Sequence, residues 1–187
     1  MERDHAPEII TTDRLRLRRP TLADAAASYE YASDPAVTRL MDWPTHTDPR
    51  ESMEFLGRCA SRWDAGDEYA WVITVKPDDR SIGSISVRVR GHAADFGYVL
   101  NRNFWRRGYA TEAARAVVSW VESFADVYRV WATCDCENFA SVRVLEKAGL
   151  SREGILRQAI VRPNLSPVPR DASIFAKVRN GPVVRST

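Results

Sequence analysis

The sequence predicts an α/β fold of the α+β kind, with a mixed, mainly antiparallel central sheet of about seven strands flanked by about four helices. Three observations carry that prediction. Strand-like runs follow one another from Tyr69 to Leu100 with only turn-length breaks between them. An apolar stripe at helical spacing, from Ala110 to Phe124, then leads into another strand, so an antiparallel meander gives way to a strand, helix, strand crossover. The chain of 187 residues, 44% hydrophobic and 28% charged, is long enough for one buried core and short for two. A single domain over 9–179 is expected, with tails at 1–8 and 180–187.

Each element has a local reason. Leu15 and Leu17 alternate with Arg14, Arg16 and Arg18, the period of a strand with one wet face, and Pro20 stops it. Thr21 caps a helix reaching Ser33, with Asp24 at the third helical position as a partial capping box and Asp34 and Pro35 beyond the end. A loop bearing Trp43 leads to a helix from about Arg50, in which Met53, Leu56, Ala60 and Trp63 recur at helical spacing up to Gly66. The run 69–75 is apolar on both faces and predicts a central strand, with a hairpin turn at 77–80. In 82–89 Ile85, Val87 and Val89 oppose Ser84, Ser86 and Arg88, and 95–100 follows after Gly91. Beyond the helix at 110–124, whose far face carries Glu112, Arg115 and Glu122, 128–134 is a strand. Asn138 caps a helix to Lys147 that Gly149 stops. Two last strands, near 155–161 and 172–178, flank a proline-rich loop at 162–170, RPNLSPVPR.

Composition narrows the function classes. A net charge of +2, with arginines scattered except around Arg102 to Arg107, argues against general nucleic-acid binding. No apolar run approaches the roughly 20 residues of a membrane span. The opening MERDHAPE lacks the apolar core of a secretory signal, so a cytoplasmic protein is expected. Cys59, Cys134 and Cys136 read as reduced thiols packed as small apolar groups. His5, His46 and His92 lie in a tail, a loop and a turn with no spacing that suggests a metal. Either a monomer or a homodimer is compatible with the sequence.

The segment Trp105 to Ala113, WRRGYATEA, follows a strand and opens the long amphipathic helix. The first turn of a helix offers amides without intrahelical partners at the positive end of the macrodipole, so it suits a diphosphate. Gly108 permits close approach, Ala110 keeps it open, Thr111 adds a hydroxyl, and Arg106 and Arg107 add charge. This turn lies at the carboxyl end of a strand, where open α/β sheets place their ligands.

Three segments, WRRGYATEA, ENFASVRVLEKAGL with EGILR following, and RDASIFAKVR, give the chain a resemblance to the GNAT superfamily of acetyl-CoA-dependent N-acetyltransferases. The match is to its RimJ/RimL-like branch, which acetylates protein N-termini, and covers roughly Ile9 to Arg179. It implies a GNAT-type sheet, acetyl-CoA as co-substrate and no metal. Its pyrophosphate loop falls on Arg106, Arg107, Gly108, Tyr109, Ala110 and Thr111. Trp105 departs from a common Gln or Arg and is expected to pack inward, and Arg106 stands where a second Gly is common. In the family the preceding strand splays so that pantetheine adds like a short strand. That role falls here on Tyr98, Val99 and Leu100, with Gly97 placed to permit a bulge and Asn138 and Ser141 on the far side of the arm. Asp171 matches a position in the last hairpin suited to a structural hydrogen bond.

The implied chemistry is direct attack of an amine on a thioester without a covalent enzyme intermediate. Asp95 and Glu112 are the candidate general bases, and Ser141 stands at the family's usual position for a donor to the leaving thiolate. A strand amide near Tyr98 or Val99 would polarise the carbonyl. Trp43 and Asp95 are candidate acceptor contacts, on or beside the loops 41–50 and 163–170 that choose the acceptor. The leading expectation is a protein or peptide N-terminus as acceptor. A small-molecule amine, such as an antibiotic or polyamine, and a non-catalytic coenzyme A-binding sensor are the alternatives.

Overall fold

A computed structural model describes residues 6–179. His5 and the expected C-terminal tail at 180–187 lie outside the described residues, as do residues 1–5 of the expected N-terminal tail. Residues 6–8 of that tail are tied down: Ala6 is buried, the Pro7 carbonyl accepts from Trp71 Nε1 at 2.9 Å, and the Glu8 carbonyl accepts from the Arg19 amide at 2.8 Å.

Eight strands form one sheet, one more than the sequence suggested. They are β1 (Ile9–Thr11), β2 (Leu15–Arg18), β3 (Tyr69–Val75), β4 (Ser81–Arg90), β5 (Ala93–Leu100), β6 (Arg129–Asp135), β7 (Ser151–Arg162) and β8 (Ser166–Val178). Their spatial order is β1-β2-β3-β4-β5-β6-β8-β7. Only β5 and β6 run parallel, joined by the crossover through α4 (Tyr109–Glu122). The other helices are α1 (Ala25–Ala32), α2 (Pro35–Thr38), α3 (Pro49–Ala65) and α5 (Phe139–Lys147). No helix among the described residues is long and apolar enough to cross a membrane.

Asp34 and Pro35 lie beyond the end of α1, as expected, and also begin α2, which the sequence did not show: the Asp34 side chain accepts from the Ala36 amide at 2.9 Å, and proline's fixed φ suits the first helical position. Two expectations need correction. The proline-rich segment 162–170 is mostly strand, with a turn only at 163–165. Pairing of β8 with β6 begins at Ala172, so Pro167 and Pro169 lie in the half of β8 that has β7 alone as neighbour, where a missing donor is tolerated. Gly97 makes no bulge, because β4 and β5 pair without a break from Gly83↔Leu100 to Arg90↔Ala93.

Aromatic packing fastens the helices to the sheet. Trp71 is fully buried on β3 and meets Trp63 of α3 at 5.2 Å and Trp120 of α4 at 5.3 Å between ring centroids, both edge to face. Asp24 is buried under a double contact with Arg18 at 2.9 and 2.6 Å and accepts from the Thr21 amide at 2.9 Å, which realises the expected capping box. Glu112 was expected on the wet face of its helix. Its side chain is 17% exposed and accepts from the Thr12 hydroxyl at 2.6 Å, the Arg14 amide at 3.0 Å and Arg14 Nε at 2.7 Å, clamping α4 to the β1–β2 link.

Two consequences can be measured. Burial alone would raise the Glu112 carboxyl, but the Thr12 and Arg14 contacts hold it below the usual carboxylate range. The stabilisation it gives is therefore present above the unfolded-state value of about 4.3 and is lost as pH falls through the lower folded value. Glu112→Gln should cost about 1–3 kcal/mol at pH 7 in denaturant unfolding, and the gap from wild type should close in acid. A Cβ on Gly83 would lie 2.3 Å from the Val99 carbonyl oxygen, a backbone atom that cannot swing aside. Gly83→Ala should therefore lower stability by about 1–3 kcal/mol, read as a fall in Tm.

Candidate active site

The gap between β5 and β6 organises the site. The two strands pair through Ala93↔Arg129, Ala94↔Val130 and Asp95↔Trp131, then separate, while β5 stays on β4 to Leu100 and β6 stays on β8 to Asp135. The Asn101 amide donates to the Ile82 carbonyl at 2.8 Å, which sets the alternation of the β4–β5 ladder. Backbone groups of Asp95, Gly97 and Val99 are therefore spent on β4, and those of Phe96, Tyr98 and Leu100 face the gap. Of the expected donor-binding trio, Tyr98 and Leu100 present main-chain groups there and Val99 does not. The Leu100 carbonyl is already taken by Trp105 Nε1 at 2.8 Å.

That indole contact ties the gap to the loop at the start of α4. Trp105 does not pack inward as expected; it is 44% exposed, with its indole N–H tied to the Leu100 carbonyl. Gly108 is the N-cap of α4 at φ +81°, and Arg106 also has positive φ, at +60°. The first intrahelical bond of the turn runs from the Glu112 amide to the Gly108 carbonyl at 3.0 Å, so the amides of Tyr109, Ala110 and Thr111 precede the ladder. The starts of α2, α3 and α5 are closed by the side chains of Asp34, Asp48 and Asn138, but Gly108 has no side chain to do so. Arg106 and Arg107 are exposed beside these amides. Arg14 joins them: its Nη1 donates to the Arg107 carbonyl at 3.0 Å and its guanidinium covers the Tyr109 ring at 4.8 Å. Sequence reading missed Arg14, because alternation marks it as outward without saying what it meets.

Ser141 sits across the gap in the first turn of α5. Asn138 Oδ1 accepts from the Ser141 amide at 3.0 Å, so Asn138 is the helix cap, and Ser141 Oγ lies 2.7 Å from Tyr98 Oη. Burial raises the Tyr98 phenol, and it pushes the nearby Cys134 thiol up to about 11. Cys59 is likewise buried and raised to about 11, so both thiols stay protonated at neutral pH.

Asp95 and Trp43 belong to the opposite face of β5. Asp95 Oδ2 accepts from Arg88 Nε at 2.8 Å, and Arg88 lines a cavity of about 250 Å³ together with Trp43, Asp42, His46, Glu68 and the segment 97–99. His46 packs on Trp43 at 5.4 Å, its Nδ1 lies 2.8 Å from Ser52 Oγ, and burial lowers its pKa. Glu68 accepts from the Ser86 hydroxyl at 2.7 Å. The polar face of β4, with Ser84, Ser86 and Arg88, is thus a cavity floor under α1 and α3, a role that alternation alone left as a wet surface. Asn164 joins the two loops expected to choose the acceptor: its side chain accepts from the Thr45 amide at 2.8 Å and donates to the Trp43 carbonyl at 2.9 Å. Asp171 accepts from the Gln158 amide at 2.9 Å and from Arg157 at 3.1 Å, a structural bond to strand β7 where the expectation was one to a neighbouring loop. Glu112 does not line this cavity; it lies in the first turn of α4, and its bonds to Thr12 and Arg14 make it a clamp and unsuit it as a base.

Comparison with known proteins agrees with this geometry. The acetyltransferase (GNAT) domain family matches residues 14–151. The uncharacterized N-acetyltransferase YnaD of Bacillus subtilis (strain 168) is 32% identical over 157 residues, covering 83% of this chain and 89% of its own. Among solved structures, the microcin C7 self-immunity acetyltransferase MccE, in complex with acetyl-CoA and AMP, superposes with a TM-score of 0.83 at 23% identity over 94% of this chain and 98% of its own. RimL, a ribosomal L7/L12 α-N-protein acetyltransferase in complex with coenzyme A, superposes at 0.81 and 22% identity over 91% and 98%. The chain therefore belongs to the GNAT family of acetyltransferases.

Proposed function

We propose that the protein moves an acetyl group from acetyl-CoA to a protein N-terminal α-amine, by direct attack in a ternary complex. The observation that carries the acceptor is the state of the two candidate bases. Asp95 is held by Arg88, and Glu112 by Arg14 and Thr12. Both carboxylates are already hydrogen-bonded to a guanidinium before an amine arrives, so the site favours an amine that arrives partly neutral. At pH 7 an α-amine of pKa about 7.8 is roughly one-seventh neutral, and a lysine near 10.4 about once in 2,500, a difference of about 3.5 kcal/mol. The shared fold of RimL, an α-N-protein acetyltransferase, supports the same acceptor class.

Each part of the donor has residues suited to it. The amides of Tyr109, Ala110 and Thr111, with Arg106, Arg107 and Arg14 around them, hold the diphosphate. The gap-facing backbone of Tyr98 and Leu100 receives the pantetheine arm as an added strand, and the Tyr98 amide is placed to polarise the thioester carbonyl. Bound acetyl-CoA supplies the thioester, and the Ser141 hydroxyl hydrogen-bonds its leaving sulfur. The acceptor enters from the cavity beneath Trp43. A small-molecule amine is the second reading, favoured by the cavity's enclosed size of about 250 Å³ and by Asp42 and Glu68 in its lining.

Acetyl-CoA consumption should occur with peptides bearing a free α-amine and cease when that amine is blocked with an internal lysine left free. Turnover only on polyamines or antibiotics would transfer the assignment to the second reading, and none on any amine would leave a coenzyme A-binding protein. In Gly108→Val, a β-branched residue at φ +81° with its Cβ 3.3 Å from Arg14 Nη2 must displace the loop. Calorimetric affinity for coenzyme A should fall at least about tenfold while far-UV circular dichroism stays native. Unchanged affinity would refute the diphosphate assignment.

A further inference from the structure

Tyr98 and Ser141 are linked across the gap, and the direction of that hydrogen bond matters. Tyr98 Oη lies 2.7 Å from Ser141 Oγ, while the other acceptor within its reach, the Ser141 carbonyl oxygen, is at 3.5 Å, the outer limit of a hydrogen bond. A phenol is the stronger acid and the better donor, and a serine hydroxyl has one proton and two lone pairs. We propose that Tyr98 is a positioning residue: its hydroxyl donates to Ser141 Oγ and thereby turns the serine's own proton toward the gap, where the leaving sulfur is bound. This inference rests on the assignment of Ser141 made above.

Three features of the site favour the arrangement. The Ser141 backbone is fixed by the Asn138 cap at 3.0 Å, so only the hydroxyl rotor is left to be set. A serine in a helix otherwise turns its hydroxyl back to a carbonyl one turn earlier, here that of Glu137 or Asn138, and its proton is lost to the gap. The phenol is largely buried and its ring stacks on Phe96 at 6.5 Å between centroids, so it has little freedom of its own. Burial also keeps it protonated, hence a donor, throughout the neutral range. A hydroxyl that accepts one bond donates a stronger one, which suits Ser141 to a sulfur gaining negative charge. No proton need leave Tyr98, since a thiolate of pKa about 8.5 is a weaker base than a buried phenolate.

Tyr98→Phe removes one oxygen and keeps the ring. It should lower kcat about tenfold with the KM for acetyl-CoA unchanged within about twofold, and Ser141→Ala should lower kcat at least as much. In the Ser141→Ala background Tyr98→Phe should change kcat less than about twofold, because the phenol then has nothing to position. Additive losses, or full kcat in Tyr98→Phe, would overturn the proposal while leaving the role of Ser141 intact. Full kcat in Ser141→Ala would remove the thiolate assignment itself, and the inference with it. A 3-fluorotyrosine placed at position 98 preserves both ring and hydroxyl if Tyr98→Phe fails to fold. Its phenol is a better donor and a poorer acceptor, so kcat should hold or rise, and a fall would overturn the proposal.

Discussion

Most of this structure depends on β5 and β6 separating after three residue pairs. β5 is committed to β4 through eight pairs and β6 to β8 through seven, so each strand follows its antiparallel partner. Sheet twist then carries the two halves apart. The main-chain groups of Phe96, Tyr98 and Leu100 are left facing a gap. An amide buried there without a partner costs about 1–3 kcal/mol, and an extended ligand with amides of its own removes that cost. The gap is in this sense an unfinished parallel sheet. Its shape also places the two helices that matter: α4 follows β5 and α5 follows β6, so their N-termini flank the opening at the carboxyl ends of these central strands.

Strand alternation then divides the chemistry between two faces. Phe96 and Tyr98 point toward α4, α5 and the main core, whereas Asp95, Gly97 and Val99 point toward α1, α3 and the cavity under Trp43. In the proposed reaction the amine would approach from the second face and the sulfur would leave toward Ser141 on the first, so entry and exit would not compete for the same space. Asn164 holds the loop bearing Trp43 against the turn at 163–165, so the cavity roof is one connected body drawn from both ends of the chain.

Much of this was legible in the sequence, and what was not has a common cause. The period of two in 82–89, the stripe at 110–124, Thr21 with Asp24, Asn138 before α5 and Gly66 after α3 are local signals, and the elements form where those signals stand. The missed elements are short or edge-bound: β1 has three residues and α2 four, too few to show a period. Asp34-Pro35 is ambiguous in isolation, since aspartate before proline can end one helix or start another. The strand at 166–171 was hidden because prolines exclude a central strand but not one with a free side. The open helix start at Gly108 was readable because a helix terminus is a local object. The partners of Glu112 and Asp95 were not, since Arg14 lies 98 residues from Glu112 and the Arg88–Asp95 pairing depends on β4–β5 register.

Those unreadable partners bear on the reaction more than any motif does. Asp24, Asp95, Glu112 and Asp135 each meet an arginine, at Arg18, Arg88, Arg14 and Arg170. The carboxyls of Asp24, Glu112 and Asp135 are held below the usual range, with hydrogen bonds and guanidinium charge outweighing burial. A protein that neutralises its partly buried carboxylates this way gains rigidity but gives up strong bases. For amine acetylation the loss is tolerable only if the acceptor brings its own deprotonated fraction. The amine's intrinsic pKa then becomes part of the selectivity, separate from the shape of the cavity. Arg88 joins the two considerations: it hydrogen-bonds Asp95 while lining the cavity under Trp43, so one ion pair both engages that carboxylate and shapes the cavity wall.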